Sequence, residues 1–376
     1  MIQRYTILIL LFMVTPMVHS QVATESYDGK YDSDKHFRRL YNDENTVFAF
    51  KATTKSELLS WQHSFLPRLK EALGLDKLER QYSHYQPKTE KVSVEDKGDF
   101  LLQKWIVWTE VDVPLPVVVL IPKNVQGKNP LVITLHGHGK NSVYYDGIYP
   151  RVTDTSSNAE VRMSATSVKQ GYITIAPTVR AFGNTRTSDD VTEGLSFSCR
   201  SQLKKDLLVG RTPVGERVWD LQVILGWALR NFPVDKERVA VTGHSGGATV
   251  ALFAAAVDKR IKVAVLSSYL NTFKGSIGSI NHCECNYIPG ILTLGEMSDV
   301  AGLIAPRSVL FVHGSNDPIY PIGETRKAYN ALKRIYKYAG AESHVSLYEG
   351  QGGHQYYEEA VWPFIKKQFG RLNIHT

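Results

Sequence analysis

From about residue 90 the chain alternates short apolar runs with longer segments of helical periodicity. The runs lie at 101–111 (LLQKWIVWTEV), 115–122 (LPVVVLIP), 131–136 (LVITLH), 172–177 (YITIAP), 238–243 (RVAVTG), 261–267 (IKVAVLS), 308–313 (SVLFVH) and 344–349 (HVSLYE). Most are apolar at nearly every position, as expected of strands covered on both faces. The first two, divided by Asp112 to Pro114, predict an antiparallel pair. Helical patterns at 157–170, 215–231, 246–257, 322–338 and 354–369 fill the gaps between later runs. Strand–helix alternation of this kind predicts an α/β fold, a mostly parallel sheet flanked by helices. Two long connections, 178–214 and 268–307, break the rhythm. Long insertions in such domains usually carry function, and they are expected to frame a pocket at the carboxyl ends of the strands.

The region before the sheet reads differently. In 55–73 (KSELLSWQHSFLPRLKEAL), Leu58, Leu59, Trp61, Phe65, Leu66, Leu69 and Leu73 fall at mostly helical spacing, and Gly74 ends the segment. A helical arm packed on the main domain is expected there, preceded at 21–45 by a polar lead-in. Residues 1–20 have one positive charge at Arg4, an apolar stretch from Ile7 to Val14, and Val18-His19-Ser20 before Gln21. That order is a secretory signal peptide, and the stretch is shorter than the ~20 residues a membrane span needs. The expected organisation is a signal peptide at 1–20, lead-in and arm at 21–90, and the main domain at 91–376. Export to the periplasm or outside the cell follows, with no membrane association after cleavage.

Composition narrows the partners. Hydrophobic residues make up 43% of the chain and charged residues 22%, an ordinary globular balance. The formal charge of +7 is spread along the chain without a basic block, so nucleic-acid binding has no specific support. The cysteines are three, Cys199, Cys283 and Cys285, and allow at most one disulfide. Cys199 with Cys285 or Cys283 is the expected pair, because a bridge between residues i and i+2 would be strained. The HCEC run (282–285) has no second CxxC or HxxxH partner in the sequence, and His136-Gly137-His138 signals no third ligand. Neither metal nor organic cofactor is expected.

The candidate chemistry centres on Gly243-His244-Ser245-Gly246-Gly247, where an apolar strand gives way to an Ala-rich helix. A serine in a sharp strand-to-helix turn needs small neighbours and presents its hydroxyl beside helix amides. Serine attacks only with a base held by an acid, and in this architecture the order is Ser, acid, His. Asp317 follows the strand at 308–313 and His354 follows the strand at 344–349, so Ser245, Asp317 and His354 form the expected catalytic triad. Glu349 is the substitute acid. His244 is a poorer base, since a side chain beside the nucleophile points away from it. Backbone amides of Gly246 and His138 are the expected oxyanion donors. Arg180, His244 and Tyr287 are candidate substrate contacts, and Tyr144, Tyr145 and Phe182 could stack on a sugar or simply pack.

These motifs resemble the α/β-hydrolase superfamily over most of residues 90–370. More narrowly the chain resembles the dienelactone-hydrolase and acetyl xylan esterase-like branch of secreted bacterial hydrolases. The matching stretches are LHGHG (135–139), GHSGG (243–247), HCECNYIPG (282–290), SDVAGLIAPR (298–307), HGSNDPIYP (313–321) and GGH (352–354). The resemblance implies the same triad and a serine esterase, acting on acetyl or other small acyl esters of carbohydrates. Acetyl xylan esterases commonly have an Asp-x-Arg-Gly-like stretch where this chain has Thr178-Val179-Arg180-Ala181. Two alternatives stand beside the esterase: a prolyl-oligopeptidase-like peptidase, and a catalytically inactive binding relative.

Overall fold

The computed structural model describes residues 33–41, 46–124, 127–139 and 141–372. The expected signal peptide lies outside the described residues. The chain divides into two units, Met1–Asp43 and Glu44–Thr376. In the first, helix α1 (Ser33–Tyr41) lies in a stretch whose polar composition predicts only a lead-in. Asp34 in its first turn and Arg38 and Arg39 in its last complement the helix dipole, and Phe37 and Leu40 share a face.

The second unit is built on a nine-stranded sheet: β1 (Thr89–Asp96), β2 (Phe100–Glu110), β3 (Val113–Pro122), β4 (Asn129–Leu135), β5 (Ile173–Pro177), β6 (Val234–His244), β7 (Val263–Ser267), β8 (Ser308–Gly314) and β9 (Val345–Gly350). The spatial order is β1-β2-β3-β5-β4-β6-β7-β8-β9. β1, β2, β3 and β5 pair antiparallel, and every pairing from β5 through β9 is parallel. The eight runs read from the sequence are all strands. β1 is additional: its Val92 and Val94 alternate with polar residues, but both are about half exposed on the sheet edge.

Alternation along the strands sends neighbours to opposite faces. Leu131, Ile133, Val239 and Val241 join the larger core with helices α6 (Pro213–Asn231) and α7 (Gly246–Val257). Val132, Ala240, Val263 and Val265 face the other way, toward Trp362, Ile365 and Phe369 of α9 (Glu358–Leu372). Every residue of α7 is buried, so this helix is apolar all round rather than striped. Between these, α4 (Ala159–Lys169) covers the second face, and α8 (Ile322–Tyr338) lies between β8 and β9 in sequence. Because the chain runs from β4 to β5 on one side and returns to β6 on the other, its direction of winding reverses at β4 and β6. Ligand crevices form outside the carboxyl ends of strands at such a reversal.

The helical arm spans α2 (Lys55–Leu73) and α3 (Leu75–Gln81). Thr54 caps α2 by accepting the Glu57 amide, and Glu57 in turn accepts the Thr53 amide at 2.7 Å. Gly74 ends α2 with φ +69°, and a Cβ there would meet the Gly210 carbonyl at 2.5 Å. Leu58, Phe65, Leu69 and Leu73 are buried at helical spacing, with Phe65 stacked on Phe48 at 5.0 Å. The arm belongs to the main core rather than decorating it. Phe65→Ala is expected to cost about 3–5 kcal/mol in urea unfolding; a cost below about 1 kcal/mol would show the arm to be dispensable.

Candidate active site

Ser245 follows β6 directly and opens α7, with φ +53° and ψ −119°. A positive φ is costly for a residue with a Cβ and persists only where the surroundings enforce it. Here the enforcement is close backbone contact. A Cβ on Gly243 would stand 2.5 Å from the Gly247 carbonyl carbon, and one on Gly247 would overlap the Leu135 carbonyl. The Ser245 amide donates to Ser267 O at 2.9 Å, and its own carbonyl accepts the Thr249 amide at 3.0 Å. Ser245 is half-buried.

Asp317 lies three residues past the end of β8 and His354 four past the end of β9. The two loops are laced by amides of Ser315 and Asn316 donating to Gly350 O and Gly352 O, each at 2.8 Å. His354 Nδ1 meets Asp317 Oδ2 at 2.7 Å, while Asp317 Oδ1 accepts the Ile319 and Tyr320 amides at 3.0 Å each. Burial opposes the charge on Asp317, but the His354 hydrogen bond and these two amides outweigh it and hold its pKa below the usual carboxylate range. The His354 ring stacks on Tyr320 and lies 4.6 Å from the His244 ring, centroid to centroid. Glu349, the alternative acid, points elsewhere: it is paired with Arg326 at 2.5 Å on the surface.

The loop after β4 approaches from the other side. A Cβ on Gly137 would lie 3.2 Å from Ser245 Cβ, and one on Gly246 would strike the His138 ring at 2.5 Å. The Gly137 amide, however, is taken by Glu160 Oε1 at 2.6 Å, and Glu160 Oε2 accepts the Tyr144 hydroxyl at 2.7 Å. Sequence reading did not mark Glu160, which looks like an ordinary first-turn residue of α4. Only its burial and its reach toward β4 reveal it. Burial raises its pKa to about 6, against the two hydrogen bonds that favour the charged form.

Other expected residues have different roles. Arg180, expected at the substrate, is buried among carboxylates: Nε and Nη2 bind Asp220 at 3.0 and 2.6 Å, and Nη1 binds Glu110 and Glu216 at 2.8 Å each. A guanidinium so engaged locks β2, the start of the first insertion and α6 together, and it corrects the substrate reading. His244 is also an interior group. It bonds Ser267 Oγ through Nδ1 at 3.1 Å, and burial, then the neighbouring His354, lower its pKa to about 3. His136 is neutral for the same reason, burial lowering its pKa to about 4. It receives the Val179 amide at 3.1 Å and lies 2.7 Å from the Tyr145 hydroxyl. Tyr144 and Tyr145 therefore serve hydrogen bonds within the protein, while Phe182 packs against His136, His138 and Phe197. Tyr287 is exposed at 41%. Cys199, Cys283 and Cys285 are free thiols, so the expected Cys199–Cys285 bridge is not formed.

The model of the Abhydrolase family matches residues 13–360. The chain belongs to that family. YtaP of Bacillus subtilis (strain 168), named as a hydrolase, is 24% identical over 276 residues, covering 72% of this chain and 88% of YtaP. Among solved structures, BF1801 of Bacteroides fragilis NCTC 9343, described as an acetyl xylan esterase, superposes with a TM-score of 0.75 at 17% identity. That superposition covers 90% of this chain and 95% of BF1801. A CE15 glucuronoyl esterase from Teredinibacter turnerae T7901 gives 0.61 at 14% identity, covering 86% and 88%. At these identities the structures establish the α/β-hydrolase fold.

Two substitutions test the buried charges. Arg180→Met leaves three carboxylates facing one another and is expected to lower stability by about 3–5 kcal/mol in urea unfolding. A raised KM at unchanged stability would return Arg180 to the substrate. For Glu160, the folded-state pKa lies above the ordinary 4.5, so its contribution to stability is complete below about pH 4.5 and is lost as pH rises through about 6. Wild type is therefore expected to lose about 2 kcal/mol relative to Glu160→Gln between about pH 4 and pH 7. Parallel pH–stability curves for the two proteins would contradict this assignment.

Proposed function

We propose that the protein is a serine esterase that hydrolyses carboxylic esters of carbohydrates, acetyl or other small acyl esters foremost, after export from the cell. The observation that carries this reading is the 2.7 Å His354–Asp317 hydrogen bond at the same sheet edge as the strained Ser245 turn. His354 Nε2 takes the proton from Ser245 Oγ as the serine attacks the ester carbonyl. Asp317 fixes the ring with Nε2 free for this task and stabilises the imidazolium that results. The oxyanion is received by the Gly246 amide at the start of α7 and by the His138 amide, since the Gly137 amide is committed to Glu160. His354 then protonates the leaving alcohol, and water, deprotonated by His354, releases the acid from the acyl-serine.

The choice of ester over other acyl compounds draws support from the described activities of the structural neighbours, an acetyl xylan esterase and a glucuronoyl esterase. Membership of the Abhydrolase family supports hydrolysis more broadly. Export draws support from the pattern of residues 1–20 and agrees with an action on extracellular polysaccharide.

Ser245→Ala is expected to abolish labelling by a fluorophosphonate and to lower kcat on p-nitrophenyl acetate by at least about 10³-fold. Asp317→Asn is expected to lose on the order of 10³–10⁴ in kcat, with Glu349→Gln close to wild type. Full hydrolysis by Ser245→Ala would end the mechanism. Acetate release from acetylated xylan, measured beside the simple ester, tests the substrate class.

A further inference from the structure

Four side chains that the proposed hydrolysis does not use converge beside the oxyanion loop. They are His138, Cys199, Cys283 and Cys285, and their Nε2 and Sγ atoms all lie within 4.8 Å of one another. His138 Nε2 is 3.2 Å from Cys285 Sγ and 3.6 Å from Cys199 Sγ, and the two thiols of Cys283 and Cys285 are 3.4 Å apart. Zinc bound by sulfur at about 2.3 Å and by imidazole nitrogen at about 2.0–2.1 Å places its ligand atoms roughly 3.6–3.8 Å from each other. The observed cluster brackets that spacing.

We propose that these four residues hold a structural zinc ion in a tetrahedral Cys3His site. Three thiolates and one imidazole are the donor set that zinc favours, and four protein ligands leave no open position for a substrate or water. On binding, the three thiols release their protons to solvent, and neutral His138 contributes the lone pair of Nε2. Zn²⁺ with three thiolates has a net charge of −1. The positive charge that this interior site then needs is already in place: Arg217, buried, donates Nη2 to Cys199 Sγ at 3.3 Å. The guanidinium is fixed there by Gln202 Oε1 at 3.2 Å and by Arg180 O at 3.1 Å.

The ligands come from three separate segments. Cys199 opens the helix α5 (Cys199–Val209) in the first insertion, Cys283 and Cys285 lie in the second, and His138 belongs to the loop after β4. Zinc would therefore join both insertions to the loop expected to bind the oxyanion. Since the His138 ring abuts Gly246, the ion also fixes that loop against the residue after Ser245. Asn286, next to Cys285, reinforces the link by accepting the Thr249 hydroxyl of α7 at 3.0 Å.

The test reads metal and not turnover, so it is independent of the esterase reading. The full chain, incubated with equimolar zinc and dialysed, is expected to retain about one zinc per chain by plasma mass spectrometry. A mercurial that titrates thiols should release that zinc to a chromogenic chelator in step with thiol modification. Cobalt(II) in place of zinc should give thiolate-to-metal charge-transfer absorption. Cys283→Ser is expected to weaken retention at least tenfold. Should that variant fail to fold, the wild-type measurements decide alone. Retention below about a tenth of an equivalent, or a non-reduced peptide joining Cys199 to Cys283 or Cys285, would overturn the proposal.

Discussion

The candidate site depends on one close approach of backbone to backbone. Helix α7 starts so near β4 and β6 that Gly243 and Gly247 have no space for a side chain, and this crowding holds Ser245 at positive φ. A helix can come so close because it is buried on every side and carries mostly Ala, Gly and Val against the sheet. The strain at Ser245 is small, of order 1–3 kcal/mol, and the packing of a twelve-residue buried helix exceeds it comfortably. Ser245 stands just past β6 beside the Gly137 loop, and the neighbouring His244 ring packs on His354.

Burial then sorts the histidines. His136, His244 and His313 are all interior, and burial lowers the pKa of each to between about 3 and 4. They act as neutral hydrogen-bonding groups: His136 accepts from the Val179 amide and His313 from the Leu270 amide. His354 is only partly buried, and its Nδ1 meets the Asp317 carboxylate at 2.7 Å. Glu349, by contrast, is paired with Arg326 at the surface.

Much of this was legible in the sequence because the informative residues follow strands. An apolar run identifies a strand, and the polar residue just beyond it is placed at the carboxyl edge without knowledge of any contact. Ser245, Asp317 and His354 were all placed just past their strands in this way, and the structure has them there. Glu160 and Arg180 were not correctly placed, for opposite reasons. Glu160 sits in the first turn of a helix, where an acid is ordinary, and its bond to the Gly137 amide comes from a residue 23 positions away. Arg180 follows a strand and so looked like a site residue. Yet the partners that claim it, Glu110, Glu216 and Asp220, lie on a distant strand and a later helix. Position after a strand predicts the edge, and long-range charge decides which side chains remain available there.

The thiol cluster marks where reading along the chain fails in principle. A metal site is recognised in sequence when its ligands come in pairs on one turn or hairpin, and HCEC supplies only one such pair. The remaining ligands sit in LHGHG and at the start of α5, and only the fold brings them together. There is also a physical reason for a cross-link at this place. The two insertions leave the sheet for more than thirty residues each, so strand pairing cannot fix them. The first is tied down by the buried Arg180 and Arg217, the second by Asn286 on α7 and by the Leu270 amide donating to His313 Nε2 on β8 at 3.0 Å. Each of these bonds joins one insertion to the core. The His138–cysteine cluster differs in that it brings the two insertions against each other and against the loop after β4 at once, with the His138 ring beside Gly246.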